Sequence, residues 1–405
     1  MPTVVLPEAS RWDDPTPLRV TGLDPGQTVT LQSSATAWFD GTGTTTATFT
    51  ADAEGVVDTS DQAPFVGDYE GVAPTGWLWA LSETDGPGGG QPAGDAGDPT
   101  VEIVVEADGE QLATAETTRR RATEGVSHEW VETPAFAGVL FTPPGDGPHP
   151  GVVALHGSAG RPLRGVGAAL ASRGYATLAV QYFGEPDPVP DALAAVPVET
   201  VDAAATHLRE RPNTTEQIAV FGRSKGAELA LVTAARCSWP AAVVAVAPTQ
   251  YRWQALEGGE EPRSSWTLDG DPLPFVPFRA APGECDGATV FRETYAGSRD
   301  RVAPDRLDAA RIDADSVDTP ALLVAGGDDQ MWPSGTDTAA LTDRLRTVET
   351  RQYPDAGHGI SLPHAPTTTT TAAGGLALGG TPAANARASA DHWPAVLDHL
   401  AAMCQ

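Results

Sequence analysis

The sequence predicts a two-domain chain of the α/β class, with an all-β domain ahead of a larger domain built on a mostly parallel sheet. Three observations carry that prediction. The first third alternates apolar and polar residues with a period of two and is broken by turn residues. After about residue 125 the pattern becomes short apolar strands alternating with amphipathic helices, which indicates a sheet covered on both faces. Within that second part, the apolar stretch IAVFG (218–222) runs into G-R-S-K-G and out into a helical run rich in Ala, Glu and Leu. With 405 residues the chain is also too long for one ordinary core. The expected domains are 1–125 and 126–405.

In the first domain VTLQSSATAWF (29–39) places mostly apolar side chains at odd positions, as a half-buried strand requires. A DGTG turn leads into TTTATFTADA. GWLWAL (76–81) reads as a further strand, and VEIVVEADGEQLATAET as two strands split by an Asp-Gly turn at 108–109. Many short strands with turn residues between them indicate a β-sandwich, immunoglobulin-like in kind. GPGGGQPAGDAGDP (86–99) is too rich in Gly and Pro for regular structure and reads as a mobile loop.

In the second domain the expected strands are GVVALHG (151–157), YATLAVQY (175–182), IAVFG, AAVVAVAP (241–248), PALLVAGGDD (320–329) and TRQYP. Helices are expected at 162–173, at 199–211 with Val201, Ala205 and Leu208 on one face, from 225, at 336–347 and around 390–402. Residues 249–318 interrupt this rhythm with Trp, Pro, Arg and acidic residues. They read as a lid-like excursion over the sheet's C-terminal edge, and 361–388 reads as a flexible loop.

Composition excludes several function classes. Asp and Glu number 54 against 25 Lys and Arg, a formal net charge of −29. That field repels phosphate, so nucleic acid is not an expected partner. Repulsion among so many carboxylates is largely screened at molar salt, where the Debye length is about 3 Å. An acidic surface with scarce lysine therefore indicates a salt-rich, halophilic cytoplasm. No run reaches the roughly 18 apolar residues of a membrane helix, and MPTVVLPEASRWDD carries no export signal. Three scattered cysteines, Cys237, Cys285 and Cys404, suggest neither a disulfide framework nor a zinc site, and no metal is expected.

The chemistry is concentrated at a few points. G-R-S-K-G, between a strand and a helix, matches the nucleophile elbow of the α/β-hydrolases and makes Ser224 the candidate nucleophile. A serine hydroxyl needs a histidine base, and the base an orienting acid. The chain order of that fold is Ser, acid, His. GGDDQMW offers Asp328 and Asp329 at the end of a strand, with Asp329 preferred and Asp328 setting the turn. YPDAGHGI offers His358 in a loop of small residues. Oxyanion donors are expected from the backbone N–H of Lys225 and from HGSAG (156–160), with Ser158 the choice there. His156 is expected to pack beneath that loop. Lys225 is also the only lysine in the chain. Its i, i+3 spacing to Glu228 allows an ion pair, and its retention points to a constraint that a guanidinium cannot meet.

These residues resemble those of the type I acyl-CoA thioesterase and bile acid-CoA:amino acid N-acyltransferase family. VTGLDPGQTVTL and EGVAPTGWLWAL look like segments of that family's first domain. PHPGVVALHGSAG, SKGAEL, GGDDQMWPS, YPDAGHGI and GGTPAANARASADHWPAVLDHL look like segments of its second. The resemblance implies a β-sandwich joined to an α/β-hydrolase domain, with Ser224, Asp329 and His358 as the triad. It implies a serine acyl-CoA thioesterase of fatty-acid metabolism, acting on a small-molecule acyl-CoA without a separate cofactor. The amino-acid-conjugating members carry cysteine where this chain has Ser224, which favours transfer to water. The alternatives are acyl transfer to an amino acid, or a carboxylesterase or dienelactone-hydrolase-like reaction. For the CoA phosphates the candidate cations are Arg161, Arg164, Arg223 and Lys225, with Arg119–Arg121 the one dense basic run. Trp253, Trp266, Phe275 and Phe278 are candidates to line an acyl pocket.

Overall fold

A computed structural model describes residues 1–39, 41–84, 97–184, 189–256 and 261–404. Most of the loop expected at 86–99 lies outside them. The chain divides into two compact units. The first comprises Met1–Thr123, Ser361–Gly374 and Thr381–Ala390, and the second comprises Glu124–Ile360, Gly375–Gly380 and Asp391–Gln405.

In the first unit, Thr28–Ala35, Gly43–Thr50, Thr100–Ala107 and Glu110–Arg120 are the long strands of a seven-stranded sheet. Thr3–Val5, Arg19–Thr21 and Val57–Asp58 form a second, three-stranded sheet. Period two does what the sequence predicts: Val29, Leu31, Phe49, Val101, Ile103 and Val105 turn inward and share a core with Val20 and Val57 of the smaller sheet. The result is a β-sandwich. The stretch 76–81 departs from the strand expected there. Gly76–Trp79 is a single helical turn with Trp77, Leu78 and Trp79 all buried. Its apolar residues do not alternate with polar ones, and a segment enclosed on every side shows no period from which strand and helix can be told apart.

The segment 361–388, read as a flexible loop, is built into structure. Thr367 donates its hydroxyl to the Pro382 carbonyl at 2.7 Å, and Thr368 donates to that of Leu81 at 2.6 Å, which gives the threonine run work in the first unit. The last helix starts at Pro382 rather than near 390. Thr381 accepts the Ala384 N–H at 3.1 Å, so the pair Thr-Pro is an N-cap followed by a first-turn proline.

The second unit carries an eight-stranded sheet: β1 (Ser127–Glu132), β2 (Ala137–Thr142), β3 (His149–Leu155), β4 (Ala176–Gln181), β5 (Thr214–Arg223), β6 (Val243–Val246), β7 (Ala321–Gly326) and β8 (Val348–Tyr353). Their spatial order is β1-β2-β4-β3-β5-β6-β7-β8. β1–β2 and β2–β4 pair antiparallel, and every other pair is parallel. This is the sheet of an α/β-hydrolase. β4, β6 and β7 are buried throughout, which is why they read as unbroken apolar runs.

The helices are α1 (Arg164–Ala171), α2 (Glu199–Arg209), α3 (Lys225–Arg236), α4 (Arg292–Arg299), α5 (Pro304–Ala310), α6 (Ser334–Thr342) and α7 (Pro382–Ala402). The excursion expected at 249–318 lies between the neighbouring strands β6 and β7 and contains α4 and α5. It has a core of its own, in which Tyr251, Trp253, Val276, Tyr295 and Ala310 pack with Trp332. Among the described residues no helix is long and apolar enough to cross a membrane.

Candidate active site

The site is assembled where strands of the parallel sheet end. Ser224 stands between β5 and α3 with φ 56° and ψ −122°, a conformation that L-residues rarely adopt. The turn is tight enough to demand both flanking glycines. A Cβ on Gly222 would lie 2.2 Å from the Gly226 carbonyl oxygen, and one on Gly226 would lie 2.2 Å from that of Leu155. The strain lifts the Ser224 hydroxyl off the strand end and places it at the N-terminus of α3, whose dipole favours negative charge there.

His358 follows β8 and meets both expected partners. Its Nε2 is 2.9 Å from Ser224 Oγ, and its Nδ1 is 2.9 Å from Asp329 Oδ2. Asp329 is wholly buried, and its carboxylate is held by more than the histidine. Oδ1 accepts the Met331 N–H at 2.9 Å and the Trp332 N–H at 3.2 Å, while Ser334 donates its hydroxyl to Oδ2 at 2.6 Å. Asp328 does not reach the histidine. It accepts the Gly380 N–H at 2.8 Å and the Gln330 side-chain amide at 2.6 Å, and so holds the turn beside the acid.

The HGSAG loop lies against the nucleophile, since a Cβ on Gly157 would sit 3.1 Å from that of Ser224. His156 packs beneath it, stacked on the Tyr182 ring with centroids 4.0 Å apart. The Tyr182 hydroxyl donates to the His156 carbonyl. Nδ1 of His156 donates to the Gly157 carbonyl at 2.7 Å, and burial pushes the imidazole pKa down to about 4, so it is neutral near pH 7. Because a trans peptide points its C=O and N–H in opposite directions, fixing the Gly157 carbonyl also fixes the Ser158 N–H. Ser158 and Lys225 both border the cavity beside Ser224.

The lone lysine lies inside the protein rather than on its surface. Lys225 and Glu228 are both buried, with Nζ 2.7 Å from Oε2. Burial lowers the lysine pKa, and the carboxylate opposes that shift. The other oxygen, Oε1, accepts the Trp266 indole N–H at 2.6 Å and the Trp253 backbone N–H at 3.0 Å. One carboxylate thus ties the elbow helix to the 249–318 excursion.

This corrects the expectation for the aromatics. Trp253 and Trp266 are fully buried and serve that junction, Phe278 stacks on Trp253, and Phe275 lies under the Arg306 guanidinium. The cavity at Ser224 is lined instead by Leu256, Phe291, Tyr295, Met331, Trp332 and Leu376. Of the candidate phosphate ligands, Arg161 is exposed beyond the HGSAG loop and Arg164 opens α1. Arg223 donates to the His358 carbonyl at 3.5 Å, and burial lowers its pKa against the pull of Asp329. Arg119 is enclosed in the first unit, where it donates to the Trp12 and Asp14 carbonyls at 2.9 Å. Sequence reasoning missed Ser334, although it stands in the quoted GGDDQMWPS. It also missed Arg292, which donates to the carbonyls of Gly327 and Asp329 at 3.0 and 2.9 Å.

A strained serine after a central strand and a histidine bridging it to a buried aspartate define a serine α/β-hydrolase carrying an N-terminal β-sandwich. The chain belongs to the acyl-CoA thioester hydrolase/BAAT family. Its residues 13–133 match the family's N-terminal region and 196–403 its C-terminal region. Acyl-coenzyme A thioesterase 5 of Mus musculus is 29% identical over 97% of this chain and 94% of its own. The peroxisomal succinyl-coenzyme A thioesterase of the same organism is 28% identical over 88% of this chain and 85% of its own. Among solved structures, an esterase of Pyrococcus furiosus matches with a TM-score of 0.39 and 15% identity, over 56% of this chain and 81% of that one.

Proposed function

We propose that this chain hydrolyses acyl-CoA thioesters through an acyl-serine intermediate. The observation that carries the reading is the bridging of Ser224 Oγ and Asp329 Oδ2 by one histidine, at 2.9 Å on each side. Ser224 Oγ attacks the thioester carbonyl as its proton passes to His358 Nε2. Asp329 keeps the imidazole oriented with Nδ1–H toward itself and stabilises the imidazolium. The oxyanion is held by the N–H groups of Lys225 and Ser158 at the positive end of α3. The C–S bond breaks, and His358 returns its proton to the departing sulfur. Water then attacks the acyl-serine, passes a proton to His358, and frees the acid and Ser224.

This sequence asks for a nucleophile, a base and two N–H donors, so the reading includes no cofactor. Arg161 and Arg164 are its candidates for the CoA phosphates, local cations in a strongly acidic chain. A formal charge of −29 supports a salt-rich cytoplasm as the working environment.

The test is thiol release from a series of acyl-CoAs in multimolar KCl, with and without glycine or taurine and with Ser224→Ala as control. Release indifferent to amine and absent from the variant is expected. Release that rises with amine and yields an N-acyl amino acid would replace hydrolysis by transfer. Silence on all thioesters alongside cleavage of simple esters would overturn the substrate assignment.

A further inference from the structure

The cavity at Ser224 borders one polar group that the reaction does not use, and an inference drawn from it rests on the hydrolase reading above. The apolar wall of Leu256, Phe291, Met331, Trp332 and Leu376 is broken by Tyr295. Of these side chains, Trp332 and Tyr295 carry a hydrogen-bond donor. The Trp332 indole N–H is taken by the Ala247 carbonyl at 3.2 Å. The Tyr295 side chain is buried, yet among the described residues its hydroxyl has no hydrogen-bond partner.

That hydroxyl is held in place. Tyr295 stands on α4, and its ring meets three others edge-to-face, Trp253 with centroids 4.6 Å apart, Phe278 at 5.1 Å and Trp332 at 5.4 Å. Trp253 is in turn pinned through its backbone N–H by Glu228. The hydroxyl also points inward, within range of the charges of Glu228 and Asp329. Burial first, and those two charges after it, push its pKa up, so it stays a protonated donor. Neither carboxylate accepts from it. Glu228 is occupied by Lys225, Trp253 and Trp266, and Asp329 by His358, Met331, Trp332 and Ser334. A hydroxyl buried without a partner is disfavoured, and this one is not sealed among protein atoms either. The space it opens to is the cavity that it lines.

We propose that Tyr295 is a specificity-determining residue that recognises an acyl group carrying a neutral oxygen, hydroxyl or keto, within its first several carbons. A plain alkyl chain laid along this wall covers the hydroxyl and leaves it unpaired, whereas an oxygenated chain accepts from it. One uncharged donor offsets the burial of a hydroxyl or keto oxygen, but not that of a carboxylate. The position on the chain follows from the rings. Trp332 meets Tyr295 on one side and the His358 ring on the other, at 5.8 Å, so a single indole separates the hydroxyl-bearing ring from the base. A chain that starts at Ser224 passes Tyr295 early.

The experiment is kcat/KM for hexanoyl-CoA and for its 2-hydroxy, 3-hydroxy, 3-oxo and 6-hydroxy derivatives, in wild type and in Tyr295→Phe. An oxygen substituent changes the intrinsic reactivity of the thioester. The readout is therefore the preference for oxygenated over plain substrate, compared between the two proteins, in which that reactivity cancels. For at least one derivative the preference is expected to fall about fivefold when the hydroxyl is removed. A tyrosine that only packs, or one that serves the CoA portion common to all five substrates, changes every rate alike. Preferences that all move by less than about twofold overturn the inference. A protein that cleaves no CoA thioester refutes the thioesterase reading by itself. The same comparison on p-nitrophenyl esters of the five acids, which load the same serine, then decides the role of Tyr295.

Discussion

Lys225, the chain's only lysine, holds its ammonium 2.7 Å from Glu228 Oε2, and neither side chain is in contact with water. The other carboxylate oxygen takes two N–H groups from the excursion, from Trp253 and Trp266. The space is enclosed, and a compact ammonium fills it where a five-donor fork would leave unpaired N–H groups. In Glu228→Gln the amide oxygen still accepts from both tryptophans, but the ammonium is left buried and unpaired. That variant is expected to lose about 3–5 kcal/mol of unfolding free energy. Lys225→Met with Glu228→Gln is expected to recover most of the loss. Denaturant titration of the two single variants and the double variant reads this directly, and a double variant weaker than both singles would contradict it.

The two adjacent aspartates make a second, sharper comparison. Only Asp329 touches the histidine, whereas Asp328 bonds to Gly380 and Gln330. Asp329→Asn is expected to lower kcat about ten-thousandfold, because the imidazole is then held in the wrong tautomer. Ser224→Ala lowers it about a million-fold. Asp328→Asn keeps the acceptor for the Gly380 N–H and is expected to stay within about tenfold of wild type. Steady-state kinetics on one good substrate separates the two positions, and equal losses at 328 and 329 would refute the assignment.

Much of this was readable from sequence, for identifiable reasons. A strand that alternates, or one buried on both faces, advertises itself through its own residues, so both sheets were legible. The grouping of Ser224, His358 and Asp329 was legible because the elbow's glycines and the order of Ser, Asp and His are local patterns. What was not legible depends on distant partners. Nothing in Trp253 or Trp266 announces Glu228, so both looked like pocket aromatics. The turn at Gly76–Trp79 is apolar on every side and passed for a strand. The start of α7 did carry a signal, Thr381 before Pro382, but the threonine run ahead of it resembled low complexity. Ser334 was missed because a serine at the start of a helix is ordinary until the carboxylate opposite it is known.

The charge excess makes a prediction about solution conditions. Carboxylates in such excess repel one another in the folded state more strongly than in the expanded chain, and salt screens that repulsion. The melting temperature is therefore expected to rise by about 5 °C or more between 0.1 M and 2 M KCl. Scanning calorimetry across that range measures it. An unchanged or falling melting temperature would argue against adaptation to a salt-rich environment.

His156 supplies the pH dependence. Its pKa is about 4 in the folded protein, lowered by burial, against an ordinary histidine value of about 6.5. Between those two values the unfolded chain binds a proton that the folded chain does not, so stability falls as the solution is acidified. The contribution is fully present above about pH 6.5 and is lost as pH drops toward 4, amounting to about 3 kcal/mol across the window. Carboxylates titrate in the same range, so wild type must be compared with His156→Asn, in which they are common to both proteins. In multimolar KCl the wild type is expected to lose about 3 kcal/mol more than the variant between pH 7 and pH 4. His156→Phe, which has no donor at the Nδ1 position, frees the Gly157 carbonyl, and with it the orientation of the Ser158 N–H. It should therefore weaken binding of a trifluoromethyl ketone, which forms the oxyanion, while leaving that of an unreactive thioether analogue unchanged. Parallel stability curves would dismiss the buried neutral imidazole, and equal loss for both ligands would reduce its place beneath the loop to packing alone.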